Sequence, residues 1–372
     1  MKRVCFLVAE EIRYQYPTVK LLADELELAG IGVDIFSRSY AHRAELAERH
    51  RFRCIGYVPR WDHHGKAGKI EFLARGLTGV GRYDAYLGVC NLGILLAHLL
   101  ARRRFFRPLV AYLPEIFPVR SAFERYADRC ARSADALIDV DEERLAHRAM
   151  EGPLPKATFC VGNVPALRDM AAVVAAPRPA RQGPPVVWYH GTLSPGHGIG
   201  ELVEGFARMR APAELHLTGP GAPGYLSELK NSLARCGKPA LLHDPLPRDQ
   251  VLQRAAALAD LAVCFYPFRM VPHEVGQRLA NPAKVFDYMA LGLPALTSDN
   301  PTLVRLVAKE GWGTCVPPED PAAVAAALDQ LVSDAALRQR MGSRARELFF
   351  SRYHLERVAR PFVTWLCRTV GA

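Results

Sequence analysis

Short, uninterrupted apolar runs, each followed by a stretch with helical apolar spacing, limit what this chain can fold into more than any other feature. Val4 to Ala9 is continuously apolar, and Pro17 to Gly30 carries Val19, Leu22, Leu26 and Ala29 at helical spacing. A second run, Gly32 to Phe36, then resumes the strand pattern. Strands apolar on both faces, alternating with amphipathic helices, predict an α/β fold built on parallel sheets covered on both sides. Tyr83–Cys90, Leu109–Glu115, Ala136–Asp141 and Phe159–Pro165 extend the first series of strands, with a helix predicted over Leu92 to Arg104.

At 372 residues the chain is too long for one small core. Residues 171–185 show the Pro, Gly and Ala bias of a linker, and a second α/β series follows. Val186–His190, Glu214–Thr218, Ala240–His243 and Leu261–Tyr266 are its strands. Two α/β domains are therefore expected, at residues 1–170 and 183–350. The terminal helix near Tyr353–Val370 carries Val358, Phe362, Trp365 and Leu366 on one face, and its residues 352–372 are expected to cross back onto the first domain.

Half the residues are hydrophobic and 23% are charged, which fits a globular protein. No run approaches the roughly eighteen apolar residues of a membrane span. Nine scattered cysteines, odd in number and without a CxxC pair, argue for a reducing cytoplasm and against a disulfide framework or a structural zinc site. The formal charge of +10 points to an anionic partner, whether a phosphorylated substrate, an anionic membrane surface or nucleic acid. The helix ending in Arg102, Arg103 and Arg104 either complements its own dipole or rests on such a membrane.

Several motifs suggest chemistry. The loop Glu10–Tyr16 follows the first strand, where ligands of such sheets bind, but it has no glycine, so a GxGxxG dinucleotide fingerprint is absent. His63-His64 suggests a metal, yet no supporting ligand is spaced beside it. Asp139-x-Asp141 has a metal-holding spacing, although Asp141 also suits the N-cap of the next helix. Glu115 at the end of its strand is either a cap for the segment after it or an active-site group. The loops Gly191–Gly198 and Gly219–Gly224 both follow strands, so their backbone N–H groups can approach a diphosphate.

The stretch Asn281-Pro-Ala-Lys-Val-Phe-Asp-Tyr-Met-Ala-Leu-Gly-Leu-Pro294 ties these together. Asn281 fits an N-cap, Pro282 the first helical position and Gly292 a left-handed C-cap. Lys284 lies in the first turn beside the positive end of the dipole, and Asp287 shares its face. A phosphate and a ribose need such a cation and carboxylate. A surface ion pair between the two would explain the same residues.

The order of Tyr189-His-Gly-Thr-Leu-Ser-Pro-Gly-His-Gly198, Leu215–Gly219, Ala259–Pro267, Asn281–Pro294 and Gly313–Pro321 resembles the retaining, nucleotide-sugar-dependent glycosyltransferases of family 4, which have the GT-B fold. The resemblance covers about residues 183 to 345. It implies two Rossmann-like domains facing each other across a cleft, with the second holding the donor, a UDP-, GDP- or TDP-sugar, as substrate. It implies no other cofactor and no metal.

On that resemblance Gly191, Thr192, His197, Gly219, Asn281, Lys284, Val285 and Asp287 are expected at the nucleotide sugar, with Asp287 bonding the ribose. Lys284, Glu274 and Glu115 are the catalytic candidates, and Arg13 and Tyr14 the acceptor contacts. The sequence departs where the family's diphosphate-loop Arg and Lys become Thr192 and His197, and where Ala280 replaces a second acid. The implied reaction is transfer of a sugar to a saccharide, lipid-linked or small-metabolite hydroxyl with retention, domain closure excluding water. The implied location is the cytoplasm, with peripheral contact at the inner face of an anionic membrane left open. A nucleotide-sugar 2-epimerase, a non-catalytic saccharide-binding scaffold and a nucleic-acid protein are the competing functions.

Overall fold

The computed structural model describes residues 1–10, 17–38, 50–62, 65–103, 107–116, 121–175, 182–269 and 275–372. Arg13, Tyr14, His63, His64 and Glu274 lie outside the described residues. The chain divides into two units, Met1–Asn163 with Leu355–Ala372, and Val164–His354.

In the first unit, β1 (Arg3–Val8), β2 (Gly32–Ser37), β3 (Arg53–Gly56), β4 (Ala85–Val89), β5 (Leu109–Leu113), β6 (Ala136–Asp139) and β7 (Ala157–Cys160) pair in parallel, in the order β3-β2-β1-β4-β5-β6-β7. Burial along β4 and β5, and along β1 after Arg3, matches their apolar sequence, while β2 is buried throughout although it includes Asp34 and Ser37. Residues 41–82 are polar and basic in sequence, with no apolar periodicity to mark an element. The structure places β3 and a helix, Lys66–Gly79, within them. The signal was weak because β3 is an edge strand with only partial burial, and the helix buries only Gly68, Phe72 and Gly76.

The helix Cys90–Arg103 buries Leu92, Ile94, Leu95, Leu96, Ala97, Leu100 and Ala101 in the core of this unit. Its apolar surface is therefore taken by the sheet and by neighbouring helices, and its hydrophobicity is accounted for by the core. Arg102 and Arg103 remain as cations at a helix C-terminus, where the dipole favours them. The C-terminal segment forms two helices, Leu355–Val358 and Arg360–Val370. Phe362 and Trp365 meet Phe159 with ring centroids 5.6 and 5.7 Å apart, which joins this segment to β7.

In the second unit, β8 (Val186–His190), β9 (Glu214–Thr218), β10 (Ala240–His243), β11 (Leu261–Cys264), β12 (Ala295–Ser298) and β13 (Gly313–Val316) form a parallel sheet in the order β10-β9-β8-β11-β12-β13. Chain direction across the sheet reverses between β8 and β11, which opens a crevice at their carboxyl ends. The helix Leu167–Ala175 packs against the helices Arg248–Leu258 and Ala283–Leu291. Arg346 also donates to the Val174 carbonyl at 3.0 Å. The division between units therefore falls before residues 171–185, and the start of that stretch is helical.

No described helix is long and apolar enough to cross a membrane.

Candidate functional site

The helix Ala283–Leu291 begins one residue later than its sequence signals predict. Pro282 is the N-cap, with extended backbone and no side-chain cap bond, and Asn281 lies outside the helix as a buried residue. Gly292 ends the helix in the left-handed region at φ 68°, as its position implies. Lys284 and Asp287 both point inward and are buried, so a surface ion pair is excluded.

Lys284 reaches the carboxyl end of β8, where its Nζ donates to the Tyr189 hydroxyl at 2.8 Å and lies 4.3 Å from that ring's centroid. The Tyr266 ring centroid is 5.8 Å away. The Tyr189 hydroxyl donates its own proton to the Thr192 carbonyl at 2.7 Å. Tyr189 is thus the hydrogen-bond partner that the described residues give an ammonium with three donors. Burial lowers the pKa of Lys284, while Cys264 and Asp287 oppose that shift. An ammonium desolvated in this way gains most from an incoming anion.

The backbone beside Lys284 has room for no side chain. Gly191 directly follows β8 with φ 122°, and a Cβ there would stand 3.0 Å from Cε and Nζ of Lys284. Gly219, after β9, comes so near that its Cβ would lie 1.9 Å from the Gly191 carbonyl oxygen. The Gly191 amide donates to the Thr218 carbonyl and the Leu193 amide to that of Pro220, which ties the two glycine loops together. Thr192 is exposed, and Val285 is fully buried in the helix.

Asp287 has two partners that sequence reasoning missed. Arg248 donates through Nη2 to Oδ1, and His190 Nε2 lies 3.3 Å from Oδ2. The Trp188 indole N–H donates to His190 Nδ1 at 3.1 Å, so His190 carries its proton on Nε2 and donates to Asp287. Burial raises the Asp287 pKa, but the Arg248 charge and the His190 hydrogen bond outweigh it, and the carboxyl stays below its ordinary value. Each carboxylate oxygen keeps a further lone pair, so the group can still accept from a hydroxyl. The signal for Arg248 was its position. A cation at the first residue of a helix opposes the dipole and implies a carboxylate partner.

His197 stands where the resemblance places a cation of the diphosphate loop. Its Nδ1 lies 2.7 Å from Ser194 Oγ and its ring 5.2 Å from that of Tyr266. Burial, reinforced by the Lys284 charge, lowers its pKa to about 4, so it is neutral near pH 7. Among the described residues, Lys284 and Arg248 are the cations brought to Tyr189 and Asp287 here.

In the first unit, the cap of the helix Ala122–Arg132 is Ser121, in a capping box with Glu124, so Glu115 is not that cap. The Glu115 side chain is exposed at the end of β5. Desolvation by the surrounding sheet edge nevertheless raises its pKa, with Arg144 opposing. Two buried arginines hold this backbone. Arg144 donates to the Pro114 carbonyl at 2.9 Å, and Arg148 to that of Glu115 at 3.1 Å. Asp141 caps the helix Glu142–Glu151 through the Arg144 amide, and Asp139 pairs with Arg148. Both acids of the Asp-x-Asp are thus committed to structure. Among the described residues no cluster of three or more His, Cys, Asp or Glu side chains could hold a metal ion.

Residues 184–334 match the family model described as Glycosyl transferases group 1. No curated protein matches the chain. Sucrose-phosphate synthase from Thermosynechococcus elongatus is similar with a TM-score of 0.75 at 18% identity, over 100% of both chains. HepE from Anabaena, in complex with UDP and glucose, gives 0.76 at 16% identity, over 99% of this chain and 100% of that one. A glycosyltransferase from Rickettsia africae ESF-5 gives 0.78 at 11% identity, over 99% and 98%. At these identities the likenesses establish the fold, two parallel-sheet α/β domains of the GT-B type.

Proposed function

We propose that this chain, a glycosyltransferase of the GT-B fold, moves a sugar from a nucleoside diphosphate to an acceptor hydroxyl with retention of configuration and without a metal ion. The observation that carries the reading is the buried Lys284 ammonium beneath Gly191, at the reversal point of the second sheet. As the glycosidic bond breaks, negative charge grows on the leaving diphosphate. A preorganised ammonium in a desolvated crevice stabilises that charge far better than water does. Asp287, fixed by Arg248 and His190, is assigned to the ribose hydroxyls, and Arg248 stands beside it as a second cation.

The donor base assigned is uracil, because HepE, a structural relative, was solved with UDP-glucose. Glu115 is assigned to orient the acceptor hydroxyl, and its raised pKa suits a hydrogen-bonding role. Glu274, Arg13 and Tyr14 keep the donor-sugar and acceptor roles expected for them.

Incubation with a panel of UDP-, GDP- and TDP-sugars tests this function. Acceptor-stimulated release of UDP, unchanged by a chelator and giving a product of unchanged anomeric configuration, is the expected outcome. Conversion of the donor without nucleotide release, or an inverted product, would contradict it.

A further inference from the structure

Outside the crevice, a further buried cation lies in the first unit, at the carboxyl edge of β2 and β3. Arg38, the residue after β2, is 5% exposed. Its Nη2 donates to the Trp61 carbonyl, and its Nη1 has no hydrogen-bond partner. No carboxylate among the described residues pairs with it. A buried guanidinium with one carbonyl for company is poorly compensated.

Tyr57, the residue after β3, extends the parallel pairing one step past Ser37 and Gly56, its amide donating to the Ser37 carbonyl at 3.4 Å. Its ring stacks on Phe36 at 5.7 Å between centroids. Phe36 is two residues before Arg38, so Arg38 and Tyr57 share a sheet face. The Tyr57 hydroxyl is also buried and without a partner. Burial pushes its pKa up to about 12, with Arg38 opposing, so it holds its proton as a donor at neutral pH. The exposed Arg75 guanidinium lies 5.8 Å from the Tyr57 ring centroid. The neighbouring carboxylate, Glu71, accepts from the backbone amides of Arg60 and Trp61.

We propose that Arg38 and Tyr57, with Arg75 beside them, bind a phosphoryl group. A guanidinium fork and a phenolic donor on one face suit an anion with several acceptor oxygens. This site is in the first unit and does not depend on the nucleotide assignment. Two sources present that chemistry, a soluble phosphate and a phospholipid headgroup. The exposed Val58, Trp61 and Ile70 on the same loop and helix make the second a real alternative.

The test uses the full chain carrying Lys284→Met, which silences the cation of the second unit, so a failure of the nucleotide assignment leaves the result readable. Inorganic phosphate, titrated at constant ionic strength against chloride, is expected to raise the melting temperature saturably. Adding Arg38→Met should weaken that response by about tenfold or more. Without phosphate this variant should melt no lower, because a buried charge compensated by a single carbonyl is replaced by an apolar chain of similar length. Tyr57→Phe, which keeps the stacking, should also weaken the response. In a second arm, co-sedimentation with phosphatidylcholine vesicles containing phosphatidylglycerol, lost on Arg38→Met, would assign the phosphate to a lipid. Binding of neither phosphate nor vesicles, or equal binding by the Arg38→Met chain, would overturn the proposal.

Discussion

Lys284 is an ammonium where desolvation disfavours charge, and it keeps donors to spare after bonding Tyr189. His197, near the same cation, is neutral for related reasons, and this makes a pH prediction possible. Its folded pKa of about 4 lies below the ordinary 6.5, so the unfolded chain takes up the extra proton first as pH falls. The native state therefore loses stability as pH drops from about 6.5 to about 4, and that contribution is fully present above 6.5. His197→Asn should flatten the decline in melting temperature across this window relative to the parent chain. An unchanged slope would mean that His197 titrates normally in the folded protein. The wild-type profile alone would not show this, since His190 and His243 are also shifted downward by burial.

The crevice is built from two glycine loops and one short helix, and the loops set its dimensions. Gly219→Ala should destabilise the chain by about 1–3 kcal/mol, because its Cβ would overlap the Gly191 carbonyl and the backbone must move. The φ of 146° adds strain for any side chain. Urea unfolding measures this, and a loss below half a kcal/mol, roughly the surface-substitution range, would show that the loops are not in close contact. Elements of this kind were largely legible in the sequence, since strand ends followed by glycine and a helix closed by Gly292 leave local marks. The start of that helix was misplaced by one residue because Asn281 and Pro282 both suit a helix entry, and only packing decides between them. Edge strand β3 and the helix Lys66–Gly79 were missed for lack of apolar periodicity. Little of either is buried.

Across the whole molecule, the alternation of apolar runs and amphipathic helices foretold the two parallel sheets, because that pattern follows from burying strands on both faces. The partners inside the crevice were less visible. Arg248 and Asp287 are 39 residues apart, and His190 and Asp287 97, so only the fold brings them together. The apolar helix Cys90–Arg103 illustrates the converse. Its hydrophobicity is equally compatible with a core and with a membrane surface, and tertiary packing settled it as core. The central claim is that the Lys284 ammonium holds the diphosphate of a nucleotide donor. Titration calorimetry of UDP into the full chain and into its Lys284→Met variant tests it most directly. The parent is expected to bind, and the variant to lose at least about tenfold in affinity, roughly 1.4 kcal/mol, while melting at the same temperature or higher. Equal affinity for UDP in the two chains would contradict the account.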